Sequence, residues 1–505
     1  MDDPAPRDAC GVFGVFARSE EVAKLAYYGL YALQHRGQEA AGIAVADGRS
    51  IVVYKELGLV AQVFDEVTLG SLRGHVAVGH CRYSTTGAGT WENAQPTYRT
   101  RGNGGVALGH NGNLTNTAEL AGSVVRDDHT VAATTDSDLI TAMLAASHLA
   151  LDKAALEVLP LLTGAFSLVW CDETTLYAAR DRHGVRPLVL GKIGTAPAGE
   201  SDRSDAWVVA SETAALDIVG AQFVREVAPG ELLVIDDDGV RSSRFAEPER
   251  HGCLFEYVYL ARPDTWIAGR SVHAARVEVG RTLAHEAPAE ADLVIPVPDS
   301  GTPAAIGYAE ASGIPYGAGL VKNAYVGRTF IQPSQTIRQL GIRLKLNPLR
   351  EVIQGKRLVV VDDSIVRGNT QRALVTMLRD AGATEVHVRI SSPPVRWPCF
   401  YGIDFATRGE LIAADADGPE GIDEIRRSIS ADSLAYVSLE GLEAASHQPH
   451  DELCRACFDG AYPVRLPSPE HRNKHLLEAV EESETLMAGV DGGDPSPDEF
   501  DRVPL

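Results

Sequence analysis

Val359-Val-Val-Asp-Asp-Ser-Ile-Val-Arg-Gly-Asn-Thr370 is an apolar run that ends in two carboxylates, followed by a short loop and a helix start. Its surroundings repeat the same order. Leu293–Val297 predicts a strand, Thr302–Ala311 a helix and Gly313 its stop. Then come a strand at Arg357–Val361, a helix at Asn369–Asp380 with Gly382 after it, and a strand at Val386–Ile390. Strands alternating with helices imply right-handed crossovers and a parallel sheet, so residues from about Glu249 onward read as an α/β domain.

The loop after such a strand suits a phosphate. A helix start offers unpaired N–H groups and the positive end of its dipole. Ser364 and Thr370 add hydroxyl donors, and Gly368 lets backbone approach a ligand. Asp362 and Asp363 would repel the same phosphate. They need another partner, which ribose hydroxyls or a magnesium ion supply.

Residues 10–240 have a different rhythm. Short strands are expected at Gly11–Phe16, Gly42–Ala46, Ile51–Tyr54, Val76–His80, Val106–His110, Phe166–Cys171, Leu176–Ala179 and Trp207–Ala210. Helical patterns interrupt them at Val22–Leu33 and Leu139–Leu149. Runs of strands with few helices predict packed antiparallel sheets covered by helices. The small, polar stretch Gly194–Asp205 reads as an inserted loop, and the Asp236–Gly239 turn with the polar segment to Arg250 as the domain border.

At 505 residues the chain exceeds the reach of one hydrophobic core, so two domains are expected. A net charge of −23 argues against general nucleic-acid binding but not against a small phosphorylated ligand. No run of apolar residues is long enough to span a membrane, and Met1–Ala9 lacks the basic and apolar regions of a secretory signal. A cytoplasmic location with free thiols follows, and seven cysteines, an odd number, argue against a closed disulfide framework. Residues 468–505 are acidic and poor in apolar side chains. They read as a largely disordered tail with a short helix near Leu476–Val480.

Cys10 is followed by Gly-Val-Phe-Gly, with a dispensable-looking leader before it. A thiol needs a base near neutral pH, and a terminal α-amine with a pKa of about 8 can serve. That base exists only after the Ala9–Cys10 bond is cut, so residues 1–9 are read as a propeptide. Four further segments accompany Cys10: Leu33-Gln-His-Arg-Gly-Gln-Glu39, His80-Cys-Arg-Tyr-Ser-Thr-Thr-Gly87, Gly109-His-Asn-Gly-Asn113 and Thr134-Thr-Asp-Ser-Asp138.

Together these resemble the N-terminal-nucleophile glutaminase domain, here residues 10–245, with its αββα sandwich. The resemblance implies that Arg82 pairs with the glutamine carboxylate, where a guanidinium fork fits best. Asp136 would hold the α-ammonium, and the Asn111 side chain with the Gly112 N–H would form the oxyanion hole. Cys81 departs from the usual pattern and is expected to be packed.

The twelve-residue turn resembles the signature of type I phosphoribosyltransferases. With Phe255-Glu-Tyr-Val-Tyr-Leu-Ala-Arg-Pro-Asp264, Pro296-Val-Pro-Asp-Ser300, Lys322-Asn-Ala-Tyr-Val-Gly-Arg-Thr-Phe-Ile-Gln-Pro333 and Ser391-Ser-Pro-Pro394, it extends the resemblance over nearly all of residues 10–465. The family is that of the glutamine phosphoribosylpyrophosphate amidotransferases. It implies a phosphoribosyltransferase domain at 246–467 and ammonia transfer from glutamine to C1 of phosphoribosyl pyrophosphate, the committed step towards purines. By the same resemblance Asp362 and Asp363 hold the ribose hydroxyls. Ser364, Ile365, Val366, Arg367, Gly368, Asn369 and Thr370 cradle the 5-phosphate, Asn369 standing where Thr is more usual. Ser300, Asp362 and Asp363 match magnesium positions, one ion per subunit. Lys322 and Arg328 bind pyrophosphate from a loop, Lys322–Arg343, that closes over the acceptor. Thr265 and His273 replace a common Ser and Tyr between the sites. A homotetramer inhibited by purine nucleotides is also implied.

Cys454-Arg-Ala-Cys457 with Cys253 and Cys399 gives four soft ligands, for which chemistry alone permits zinc or an iron–sulfur cluster. The cluster-containing branch of the family places a [4Fe-4S] cluster on these positions and also carries a leader. Cys171 is read as core. A different glutamine-dependent synthase, such as one making glucosamine 6-phosphate, has no use for DDSIVRG. A nucleotide-sensing regulator has no use for the Cys10 set.

Overall fold

The computed structural model describes residues 9–18, 21–83, 89–124, 135–194, 206–323, 345–403 and 408–467. Residues 1–8 of the leader, Ser84–Gly87, Thr134, residues 195–205, Arg328 with most of its loop, and the tail lie outside the described residues.

Two antiparallel sheets make the first half. One has seven strands in the order Gln222–Glu226, Val189–Ile193, Ala206–Ala210, Gly11–Phe16, Val76–Arg82, Ala40–Ala46 and Ile51–Leu57. The other has six, in the order Gly239–Arg244, Glu231–Asp236, Leu176–Arg180, Gly164–Cys171, Gly104–Leu114 and Thr97–Arg101. Strand side chains alternate between faces, and here both faces are covered. From the first strand Val12 and Phe16 enter the core between the sheets, while Phe13 and Val15 pack outward under the helix Val22–Ala32. From Gly164–Cys171, Val169 and Cys171 point to the inter-sheet core, and Phe166, Leu168 and Trp170 to the helices Asp136–Ala146 and Leu151–Val158. Two sheets sandwiched by helices are the αββα arrangement.

The second half contains a four-stranded parallel sheet in the order Leu293–Pro296, Arg357–Asp362, Glu385–Ile390 and Ser433–Tyr436. Val359 and Val361 of its second strand join one core and Leu358 and Val360 another, so this strand is buried on both sides. The helix Asn369–Asp380 follows it, with Leu374, Val375, Met377 and Leu378 turned inward. Among the described residues no helix is long and apolar enough to cross a membrane.

Several expectations need adjustment. The Asp236–Gly239 turn closes a hairpin inside the six-stranded sheet, whose last strand runs on to Arg244, so only the later part of the border segment, from residue 245, follows the sheet. The first half also has more helices than two, among them Glu66–Ser71, Leu151–Val158 and Thr213–Ile218. The strand expected at Val106–His110 runs on through Asn111 and Gly112, from Gly104 to Leu114.

Candidate active sites

Cys10, Arg82, Gly112 and Asp136 line one small cleft, together with Tyr83 and His110. Each arrives by a different route. Cys10 immediately precedes the central strand of the seven-stranded sheet, and Arg82 ends the neighbouring strand. Gly112 comes from the facing sheet and Asp136 from the first position of a helix whose Thr135 side chain caps Asp138 N–H.

The Cys10 thiol donates to Tyr83 O at 3.3 Å and accepts from Tyr83 N–H at 3.4 Å. Burial pushes it up to about 11, so the thiol is protonated at neutral pH in the chain as written. Ala9 is wholly buried as well, and the bond from its carbonyl carbon to the Cys10 nitrogen leaves no free amine at Cys10. Asp136 is fixed from two sides: Oδ1 accepts from Ser137 N–H at 2.8 Å, Oδ2 from Leu114 N–H at 3.1 Å. Asn111 is completely buried, yet among the described residues neither its carboxamide oxygen nor its nitrogen has a hydrogen-bond partner. A buried amide without partners is costly, and a ligand oxygen would relieve it. Cys81 is packed as expected, its thiol donating to Leu33 O at 3.3 Å and pushed up to about 12 by burial.

The second site forms at the carboxyl end of Arg357–Asp362, where ligands of parallel sheets bind. Asp362, Asp363 and Ser364 are all buried. Asp362 accepts from Asp363 N–H at 2.9 Å and from the Gln371 carboxamide. Ser364 Oγ donates to Asp363 Oδ1 at 2.5 Å, and Ser300 bonds the same carboxylate. Burial raises both aspartates, Asp362 well above the usual range with Asp363 adding to the rise. Two such carboxyls favour a neighbouring cation or hydroxyl donors. Gly368, at φ +77°, turns the chain into the helix that begins at Asn369. Ile365 and Val366 are buried beneath the loop, anchoring it, and Arg367 pairs with Glu410 at 3.0 Å. Lys322 lies beside this site, its Nζ 2.5 Å from Asp299.

Cys253, Cys454 and Cys457 are buried in one core, with half-buried Cys399 packed against it. Cys253, Cys399 and Cys454 all act electrostatically on Cys457, whose thiol burial already raises well above its ordinary value. Burial pushes Cys253 up to about 11. Four soft donors gathered at one core fit a thiolate-bound group. Among the described residues no three Cys, His, Asp or Glu side chains are gathered as one bare ion would require.

Sequence reasoning missed the ionic joint between the halves. Arg36 of the first half donates to Glu212, and to Glu256 of the second half at 2.6 Å. Arg186 also reaches Glu256, at 3.3 Å, and Tyr401 O at 2.9 Å. Glu212 accepts in turn from Thr265 Oγ at 2.6 Å and Arg262 N–H at 3.0 Å. Against the upward push of burial, Arg36 and His35 hold the Glu212 carboxyl well below the usual range. Arg36 lies within the Leu33–Glu39 segment; only its partners were invisible.

Residues 80–217 match the family described as a glutamine amidotransferase domain. An amidophosphoribosyltransferase of Mycobacterium tuberculosis (strain ATCC 25618 / H37Rv) is 66% identical over 488 residues, 95% of this chain and 90% of its own length. That of Bacillus subtilis (strain 168) is 47% identical over 466 residues, 91% of this chain and 95% of its own. Among solved structures, the glutamine phosphoribosylpyrophosphate amidotransferase from B. subtilis complexed with ADP and GMP superposes with a TM-score of 0.83 at 46% identity, covering 91% of this chain and 98% of that one. A structure of the allosteric regulatory enzyme of purine biosynthesis gives 0.85 at 46% identity, covering 93% and 99%. These likenesses span both halves and both sites, not the glutaminase part alone: the chain belongs to the amidophosphoribosyltransferase family.

Proposed function

We propose that this protein hydrolyses glutamine at Cys10 and passes the ammonia to C1 of phosphoribosyl pyrophosphate. The products are 5-phosphoribosylamine, glutamate and pyrophosphate, the first committed step of purine synthesis. The observation that carries this reading is the pairing, in one chain, of the buried Asn111 amide, without partners among the described residues, beside the Cys10 cleft with the Asp362–Asp363 turn.

At the first site Arg82 binds the glutamine carboxylate and Asp136 the α-ammonium. The Cys10 thiolate attacks the side-chain amide once the Ala9–Cys10 bond has been cut and its own amine can take the thiol proton. Asn111 and the Gly112 N–H stabilise the tetrahedral oxyanion. At the second site Asp362 and Asp363 hold the ribose hydroxyls, and Ser364–Thr370 hold the 5-phosphate with their N–H and hydroxyl groups. Ser300, Asp362 and Asp363 would hold a magnesium ion, which when bound supplies charge neutralisation for the leaving pyrophosphate. Lys322 and Arg328 contribute positive charge towards the same group. Little acid–base chemistry is asked of the protein here, since ammonia attacks an oxocarbenium-like carbon directly.

Cys253, Cys399, Cys454 and Cys457 would hold a [4Fe-4S] cluster as a structural staple. Control by purine nucleotides is supported by the ADP and GMP bound to the B. subtilis relative. A homotetramer in the cytoplasm completes the reading.

Two variants test it. Cys10→Ala is expected to abolish synthesis from glutamine and keep synthesis from added ammonia. Asp363→Ala is expected to lose phosphoribosyl transfer with either nitrogen source. Loss of both activities in Cys10→Ala, or retained transfer in Asp363→Ala, contradicts two separate sites.

A further inference from the structure

The oxyanion glycine is held from both sides, and one of those sides belongs to the other half of the chain. A Cβ built on Gly112, at φ +149°, would fall 2.0 Å from Ala165 O of the neighbouring strand. A Cβ built on Gly402, at φ +99°, would lie 2.9 Å from both the Cα and carbonyl carbon of Gly112. The two backbones are therefore in direct contact, and only glycine at 402 allows it.

The segment that carries Gly402 is fastened on either side of the contact. Asn113, next to Gly112, donates from Nδ2 to Phe400 O at 3.2 Å. Arg186 donates to Tyr401 O at 2.9 Å. The Tyr401 hydroxyl, wholly buried, donates to Val464 O at 2.6 Å and accepts from Val464 N–H at 3.1 Å. Tyr462 hydroxyl donates to Pro398 O at 2.6 Å. The segment is thus a fixed wall rather than a passing loop.

We propose that Cys399–Gly402 of the second half is a positioning element of the glutaminase oxyanion hole, with Gly402 the positioning residue that sets the Gly112 peptide. This rests on the reading of Gly112 as an oxyanion donor. Such donors work by being aimed before charge develops, and a displaced one loses most of its effect. Neither Gly402 nor its neighbours line the cleft that holds Arg82 and Asp136, so the effect is expected on turnover and not on substrate affinity.

Kinetics of glutamine hydrolysis and of ammonia-dependent synthesis, on the mature full-length protein, test the proposal. Gly402→Ala is expected to lower kcat for glutamine roughly 10- to 100-fold, with KM for glutamine within about twofold and synthesis from ammonia unchanged. Asn113→Ala removes the bond to Phe400 without adding volume and is expected to lower the same kcat about three- to tenfold. Asn111→Ala is the control for the oxyanion reading. A large loss in Asn111→Ala with normal kcat in Gly402→Ala overturns the positioning role and leaves the oxyanion hole standing. Normal kcat in Asn111→Ala as well overturns both. If Gly402→Ala loses synthesis from ammonia too, Asn113→Ala decides, and an unchanged kcat there sinks the proposal.

Discussion

Cys253 and Cys454 face each other across a two-residue parallel ladder, Gly252 opposite Leu453 and Cys253 opposite Cys454. This ladder joins the start of the second half to its end, close to where Arg186 approaches Cys399 at 4.0 Å. Two strands of two residues hold little by themselves. A group bound by the four thiols would close this long loop in the way a covalent crosslink does.

Protein prepared without air is accordingly expected to be brown, with iron and acid-labile sulfide in equal amounts, and Cys454→Ser to lose the colour and melt at lower temperature. Visible absorption and metal analysis check this. A colourless protein containing zinc would end the cluster assignment.

The state of Cys10 yields a second expectation. In the uncut chain its thiol sits at about 11 because it is buried, and its nitrogen is an amide. Cleavage supplies an amine with a pKa of about 8, which must be neutral to accept the thiol proton. Glutamine hydrolysis by the mature protein should therefore fall as pH drops below that value, while a form that retains Ala9 is inactive with glutamine and active with ammonia. Intact mass together with rates across pH checks it. Hydrolysis by protein whose mass includes the leader would show that the amine is not the base.

Much of this architecture was legible because its elements carry strong local signals. Asn369–Asp380 is bounded by Gly368 and an apolar stripe, and the structure gives the same limits. Covered strands such as Gly164–Cys171 and Arg357–Asp362 read as apolar runs for the same reason, though Val189–Ile193 and Glu231–Asp236, equally buried, were not among those read. Two edge strands did not: Gln222–Glu226 and Gly239–Arg244 are largely exposed, so they lack a buried face to mark them. Leu151–Val158 is short, with no side-chain cap at its start. Asn111 and Gly112 were identifiable as site residues only through their motif, since a polar residue in a strand core contradicts local pattern, as functional positions tend to. Arg36, Glu212 and Glu256 could not be paired, because charge in sequence says nothing of a partner two hundred residues away.

That ionic joint gives a third prediction. Glu256 is buried between Arg36 and Arg186, all three almost fully excluded from water. Glu256→Ala leaves the buried Arg186 guanidinium without a carboxylate and Arg36 with Glu212 alone, and breaking a buried pair in this way typically costs about 3–5 kcal/mol. Denaturant unfolding should show that loss, with a smaller one for Glu256→Gln, which keeps an acceptor oxygen. A loss below about 1 kcal/mol in Glu256→Ala would mean that water screens the joint as it does a surface pair.

The aspartate pair makes the last prediction one of pH. Burial, and then the adjacent Asp363, raise Asp362 well above the ordinary carboxyl range. The folded protein thus binds this proton more tightly than the unfolded chain does. Stability from the group is full below the unfolded pKa of about 3.9 and is lost as pH rises through the folded value. Asp362→Asn removes the charge that causes the loss. Its melting temperature relative to the unaltered protein should therefore climb between acid and neutral pH, even as phosphoribosyl transfer disappears. Magnesium should narrow the gap by stabilising the unaltered protein alone, since only it presents the paired carboxylates. Thermal melts of both proteins across pH, with and without magnesium, measure this directly. A difference that stays flat with pH would mean that Asp362 is already neutralised within the fold, with the Gln371 carboxamide and the Asp363 N–H balancing its charge.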